Sequence, residues 1–114
     1  MTIEQQAMDY VIIYEKKQGR NPKNISKTKK GFDIESSGRD IEVKGLSTKN
    51  GFVLFNQYNF KALQQSNNFY LYIVFNIKTM PKLIIFDKNE VLRRAKFYFH
   101  FEIPLRKVDF DSGK

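Results

Sequence analysis

Cysteine is missing from this 114-residue chain. No disulfide can staple it, and no thiolate can hold a metal. Long apolar runs are missing too: no stretch approaches the roughly 18–20 residues that a membrane span needs. The first residues, MTIEQQAMDY, lack the basic-then-apolar pattern of a secretory leader. These absences set the expectation of a soluble, intracellular, cytoplasmic protein. Acidic residues are outnumbered, 12 Asp and Glu against 20 Lys and Arg, for a formal charge of +8. That excess reads either as a solvated lysine-rich surface or as the footprint of a polyanionic partner, most plausibly nucleic acid. Histidine occurs once, as His100 in an aromatic stretch, where a structural role is favoured over a catalytic one.

What is present is a core. Apolar residues make up 41% of the chain, with 11 Phe and 6 Tyr, which is globular rather than disordered composition. The length fits a single domain, 1–114. The spacing predicts a helix over 3–18, with Ile3, Ala7, Tyr10, Val11 and Tyr14 on one stripe and Gly19 closing it. Residues 21–30 read as a basic loop in which Lys29 and Lys30 are candidates to track a phosphate backbone. The period then switches to two. Phe32 and Ile34 alternate with Asp33 and Glu35, Ile41 and Val43 alternate with Glu42 and Lys44, and SSGR between them predicts a hairpin.

GFVLF, 51–55, reads as a third short strand. Asn56 is an N-cap candidate for a helix of about ten residues. FYLYIVFN, 69–76, reads as a strand buried on both faces, and KLIIFD, 82–87, as another. KNEVLRRA is a short helix at most, and KFYFHFEIPL, 96–105, reads as a last strand with Phe97, Phe99 and Phe101 on one side. The fold class is α/β, a mixed central sheet flanked by helices, with an α-β-β-β-α-β core over about 3–87. Residues 88–114 form a C-terminal addition carrying extra strand.

With Ser37 and Gly38 at the turn, Asp33 falls opposite Glu42, with Cβ atoms about 4.5–5.5 Å apart. Lys44 projects from the same face as Glu42. Two carboxylates at that distance repel by roughly 3 kcal/mol at an effective dielectric near 20. Lys44 offers one compensating charge, and Mg²⁺ would offer two with a preference for carboxylate oxygen. The grouping suits phosphodiester hydrolysis, in which a metal polarises the phosphoryl group and an ammonium stabilises the transition state. The plain alternative is an exposed hairpin face carrying a solvated Glu-x-Lys pair.

Asp-x8-Glu-x-Lys on a hairpin, in that element order, resembles the PD-(D/E)xK nuclease superfamily, with its restriction-endonuclease-like fold. More closely, YEKKQGR, NIS, KGFDIES and RDIEVKG resemble the NO VEIN C-terminal domain family, and the likeness continues through FVLFNQYNFKAL and FYLYIVFN. The resemblance implies a metal-dependent nuclease, with DNA favoured over RNA as substrate. It implies Asp33 and Glu42 as ligands of Mg²⁺ or Mn²⁺, the Val43 carbonyl as a further ligand, and Lys44 as the catalytic lysine. Phe32 stands where a proline often precedes the aspartate. Resolvase-like members of the superfamily carry a glutamate on the first helix, which implies Glu15 as a further site residue. Similar nucleases place a polar residue at the start of the second helix, which implies Gln57 against substrate. Arg93, Arg94, Arg106 and Lys107 read as solvated surface before phosphate contacts. The competing expectations are a catalytically silent module of the same fold that binds nucleic acid or a protein, and a domain that dimerises through its aromatic C-terminal segment. A homodimer, and a fused or separate specificity partner, are the further expected associations.

Overall fold

The computed structural model describes residues 1–98 and 103–113. Helix α1 spans Ile3–Lys17 and starts on a reciprocal cap: the Thr2 hydroxyl accepts from the Gln5 N–H, and the Gln5 side chain accepts from the Thr2 N–H. Ala7, Val11 and Glu15, four residues apart, form its buried line. Strands β1 (Pro22–Asn24), β2 (Ile34–Ser36) and β3 (Arg39–Gly45) follow, then helix α2 (Gln57–Gln65) and strands β4 (Phe69–Phe75) and β5 (Lys82–Asp87). Short helices α3 (Lys88–Arg94) and α4 (Lys107–Asp111) end the chain's described part. No helix among the described residues is long and apolar enough to cross a membrane.

The five strands form one mixed sheet in chain order, β1-β2-β3-β4-β5. Only the β3–β4 pair is parallel, and α2 lies in the connection between those two strands. The sheet separates two apolar clusters. On one face α1 packs Ala7 and Val11 against Ile34, Ile41, Val43, Tyr72 and Val74. On the other, Ala62 and Leu63 of α2 and Val91 of α3 meet Phe69, Leu71 and Ile73. Strand β4 is therefore buried on both sides, as its unbroken apolar run predicts.

Three sequence expectations need correction. Residues 51–55 form no strand. Strand β3 already has β2 on one side and β4 on the other, so no ladder position remains beside the hairpin. The alternation of this stretch survives without a ladder: Val53 and Phe55 pack onto the α2-side cluster, while Phe52 and Leu54 are exposed. Conversely, Pro22–Asn24, read as loop, pairs with Ser36–Ile34 as the edge strand β1. A proline is tolerated there because an edge strand need not donate on its outer side. The last strand expected over 96–105 is absent from its described residues, 96–98 and 103–105; Phe99, His100 and Phe101 lie outside the described residues. Alternating aromatics supply the period of a strand but no partner. Phe97 instead meets Phe60 of α2 edge-on, with ring centroids 5.4 Å apart.

Candidate active site

The hairpin turn has Ser37 at φ 46° and Gly38 at φ 91°, two left-handed residues in a two-residue loop. Ile34 consequently pairs with Ile41, Glu35 with Asp40 and Ser36 with Arg39. That register directs Ile41 and Val43 to the α1 side. Glu42 and Lys44, the alternate residues, face the α2 side.

Strand β2 does not continue straight beyond Ile34. Phe32 packs on the α2-side cluster although Ile34, two residues on, packs on the α1 side. The chain bends between them, at Asp33. The Asp33 N–H donates to the Ile41 carbonyl, and the Asp33 carbonyl accepts from the Ile25 N–H, each at 2.8 Å. The carboxylate Oδ2 accepts from the Val43 N–H at 2.9 Å, taking the place of a ladder bond. This backbone contact fixes the Asp33 side chain over β3. Because N–H and C=O of one strand residue point to the same side, the Val43 carbonyl also opens towards Asp33.

The two carboxyls are next to each other and Lys44 joins them. Lys44 Nζ lies 3.2 Å from Glu42 Oε2. Glu42 is only 5% exposed. Burial, reinforced by the neighbouring Asp33 charge, pushes the Glu42 carboxyl up to about 8 against the opposing pull of Lys44. One ammonium is therefore not enough to hold both carboxyls ionised at neutral pH. The Asp33 and Glu42 carboxyls, with the Val43 carbonyl on the same strand as Glu42, are oxygen donors of the kind a hard cation takes. Among the described residues no group of three or more His, Cys, Asp or Glu side chains is placed to hold a metal ion. Asp33 and Glu42 are the two carboxyls that could take part in holding one.

Glu15 does not join this group, contrary to expectation. It is fully buried on the α1 face, across the sheet from Glu42. Its carboxylate accepts from Arg20 Nε at 2.6 Å and Nη2 at 2.7 Å, and from the Tyr72 hydroxyl at 2.9 Å. Burial alone would raise it; the Arg20 and Tyr72 hydrogen bonds outweigh that and hold it below the usual carboxylate range. The network extends through Arg39, which donates to the Tyr72 hydroxyl at 3.0 Å and lies 4.2 Å from the Tyr70 ring centroid. The sequence carried a signal for this placement. The apolar stripe of α1 has to cover the apolar hairpin face, Ile41 and Val43, and Glu42 alternates with them.

Gln57 is exposed on the first turn of α2 and makes no hydrogen bond to Asp33, Glu42 or Lys44 among the described residues. Lys29 and Lys30 are exposed on the loop that leads into Phe32 and Asp33. Arg93 and Arg94 both pair with Glu90, at 2.6 and 2.8 Å, and Arg106 sits 3.9 Å from Asp109, so these arginines are locally engaged. Asn59 was not anticipated. It is buried, completes a reciprocal cap with Asn56, and donates Nδ2 to the Gly31 carbonyl at 2.8 Å. It thereby ties α2 to the loop preceding Asp33.

Comparison with known proteins adds one finding. A family model described as Protein NO VEIN, C-terminal, matches residues 3–86, a span from α1 into β5 that includes every residue of the Asp33–Glu42–Lys44 group. No curated protein and no solved structure matches the chain.

Proposed function

The chain belongs to the NO VEIN C-terminal family, and from that membership and the Asp33–Glu42–Lys44 grouping we propose a metal-dependent hydrolase of phosphodiester bonds in nucleic acid. It acts as a DNA endonuclease of the PD-(D/E)xK kind on a restriction-endonuclease-like core. The observation that carries this reading is the pairing of a buried Glu42 with Asp33 beside the Lys44 ammonium. Nothing in the packing of an ordinary hairpin calls for two adjacent carboxyls at such cost.

Asp33 and Glu42 would hold Mg²⁺, or Mn²⁺ in its place, with the Val43 carbonyl as a further donor. The bound ion would supply polarisation of the phosphoryl oxygen and a water of lowered pKa. Asp33 is held in place by the Val43 N–H. Glu42 must release its proton to act as a ligand. Lys44, tethered to Glu42 in the resting site, is placed to stabilise negative charge growing on the phosphoryl oxygens.

The test is incubation with plasmid, single-stranded DNA and structured RNA, with Mg²⁺ or Mn²⁺ against EDTA. Metal-dependent cleavage supports the reading. Intact substrate throughout, with folded protein, rejects it in favour of a silent module of the same fold that binds nucleic acid.

A further inference from the structure

A cleft of about 470 Å³ lies between the 29–32 loop and α2. Lys29, Lys30 and Lys61 line it, together with Tyr58, Phe32 and Asp40. Three lysines and one aspartate line it, a local balance of +2 from three positive and one negative. Asp40 is also occupied, since its Oδ2 accepts from the Ser66 hydroxyl at 2.7 Å. Tyr58 is about half exposed.

The loop wall is fixed. Lys29 holds a left-handed φ of 58° and Gly31 a φ of 89°. A Cβ at Gly31 would run into the Tyr58 carbonyl, so the loop backbone lies directly against α2. The buried Asn59 amide pins the Gly31 carbonyl there. Two lysines are thus presented from a preset backbone, opposite a third on the helix.

We propose that this cleft binds unpaired nucleotides of a single strand, phosphates against Lys29, Lys30 and Lys61, and a base against the Tyr58 ring. Positive charge along a backbone track with an aromatic face for stacking is the general recipe for single-strand binding. The volume suits a nucleotide and is within the small-ligand range of roughly 300–1,000 Å³. The cleft leads to the candidate site. Phe32 directly precedes Asp33, and Asp40 lies two residues from Glu42 on the same strand face, roughly 7 Å along β3. The role of the cleft in feeding a strand to Asp33 and Glu42 rests on the proposed function; single-strand binding does not.

The experiment is fluorescence anisotropy in EDTA, with a 5′-labelled 15-nucleotide oligo-dT and a 15-base-pair duplex as probes. Wild type should prefer the oligo-dT. Tyr58→Ala should weaken oligo-dT binding about tenfold, a typical stacking loss, and leave duplex binding within about twofold. Tyr58→Phe should restore oligo-dT binding. Alanine at Lys29, Lys30 and Lys61 together should flatten the salt slope for oligo-dT by about two, at roughly 0.7 per phosphate contact. Melting curves confirm folding, and Lys61→Ala on the exposed helix face serves if the triple variant is unstable. Equal preference for duplex, or a Tyr58→Ala loss shared by both probes, overturns the proposal. Single-strand binding that follows Tyr58, with no cleavage of any substrate, would reject the nuclease and keep the cleft. Cleavage with Tyr58-independent binding would do the reverse.

Discussion

Glu42 couples the candidate site to the stability of the protein. Its folded carboxyl is raised to about 8 from an ordinary value of 4.5. Between those values the unfolded chain releases a proton that the folded chain keeps, so stability falls as pH rises across that window. Below about 4.5 the effect is absent, and above about 8 it is complete, on the order of a few kcal/mol. Melting temperature without metal should therefore drop from pH 5 to pH 9, and Glu42→Gln should flatten that drop. If, as proposed, Mg²⁺ is held by the ionised carboxyls of the folded state, it should raise the melting temperature of the wild type, more at pH 8 than at pH 6. An identical metal response in Glu42→Gln would mean that the ion binds elsewhere. Glu15 has the opposite sign. Its lowered carboxyl stabilises the fold above the ordinary value and loses that contribution as pH falls below it. Arg20→Ala would leave the Glu15 carboxylate buried without its guanidinium, at a cost of about 3 kcal/mol in urea unfolding. A loss below about 0.5 kcal/mol would contradict that account of the network.

At the scale of elements, the pieces readable from the sequence were those defined by their own chemistry. The Ser37-Gly38 turn fixes the hairpin register through two positive φ angles, and register brings Asp33 beside Glu42. Asn56 begins its helix through a reciprocal cap. Strands that depend on a neighbour were not readable. Residues 22–24 become a strand because β2 offers an open edge, and 51–55 do not because β3 offers none. The bend at Asp33 was equally hidden, since it comes from a side chain replacing a ladder bond. Gly31 is the joint between the basic loop and α2. Gly31→Ala imposes a strained φ of 89° and a clash with the Tyr58 carbonyl. It should cost roughly 2 kcal/mol or more, seen as a lower urea midpoint at unchanged slope. An unchanged midpoint would show that the loop is free to move off α2.

For the whole molecule, charge and layering matter together. A formal charge of +8 predicts attraction to any nucleic acid, falling steeply with salt. Bulk charge was legible from composition, but its concentration in the cleft was not, because Lys29, Lys30 and Lys61 meet only through the packing of a loop on a helix. Two apolar clusters on opposite faces likewise decide which helix can reach the site: α2 can, and α1 cannot. The central claim is that Lys44 acts on the reacting phosphate and not merely on bound nucleic acid. The direct measurement is single-turnover cleavage in Mg²⁺, with protein in excess over a labelled DNA substrate, for wild type and Lys44→Ala at equal occupancy. The account predicts cleavage by wild type, a loss of about 100-fold or more in Lys44→Ala, and affinities within about twofold of each other, because the remaining basic residues supply most of the attraction. Cleavage by Lys44→Ala at the wild-type rate, or no cleavage by either protein, would contradict it.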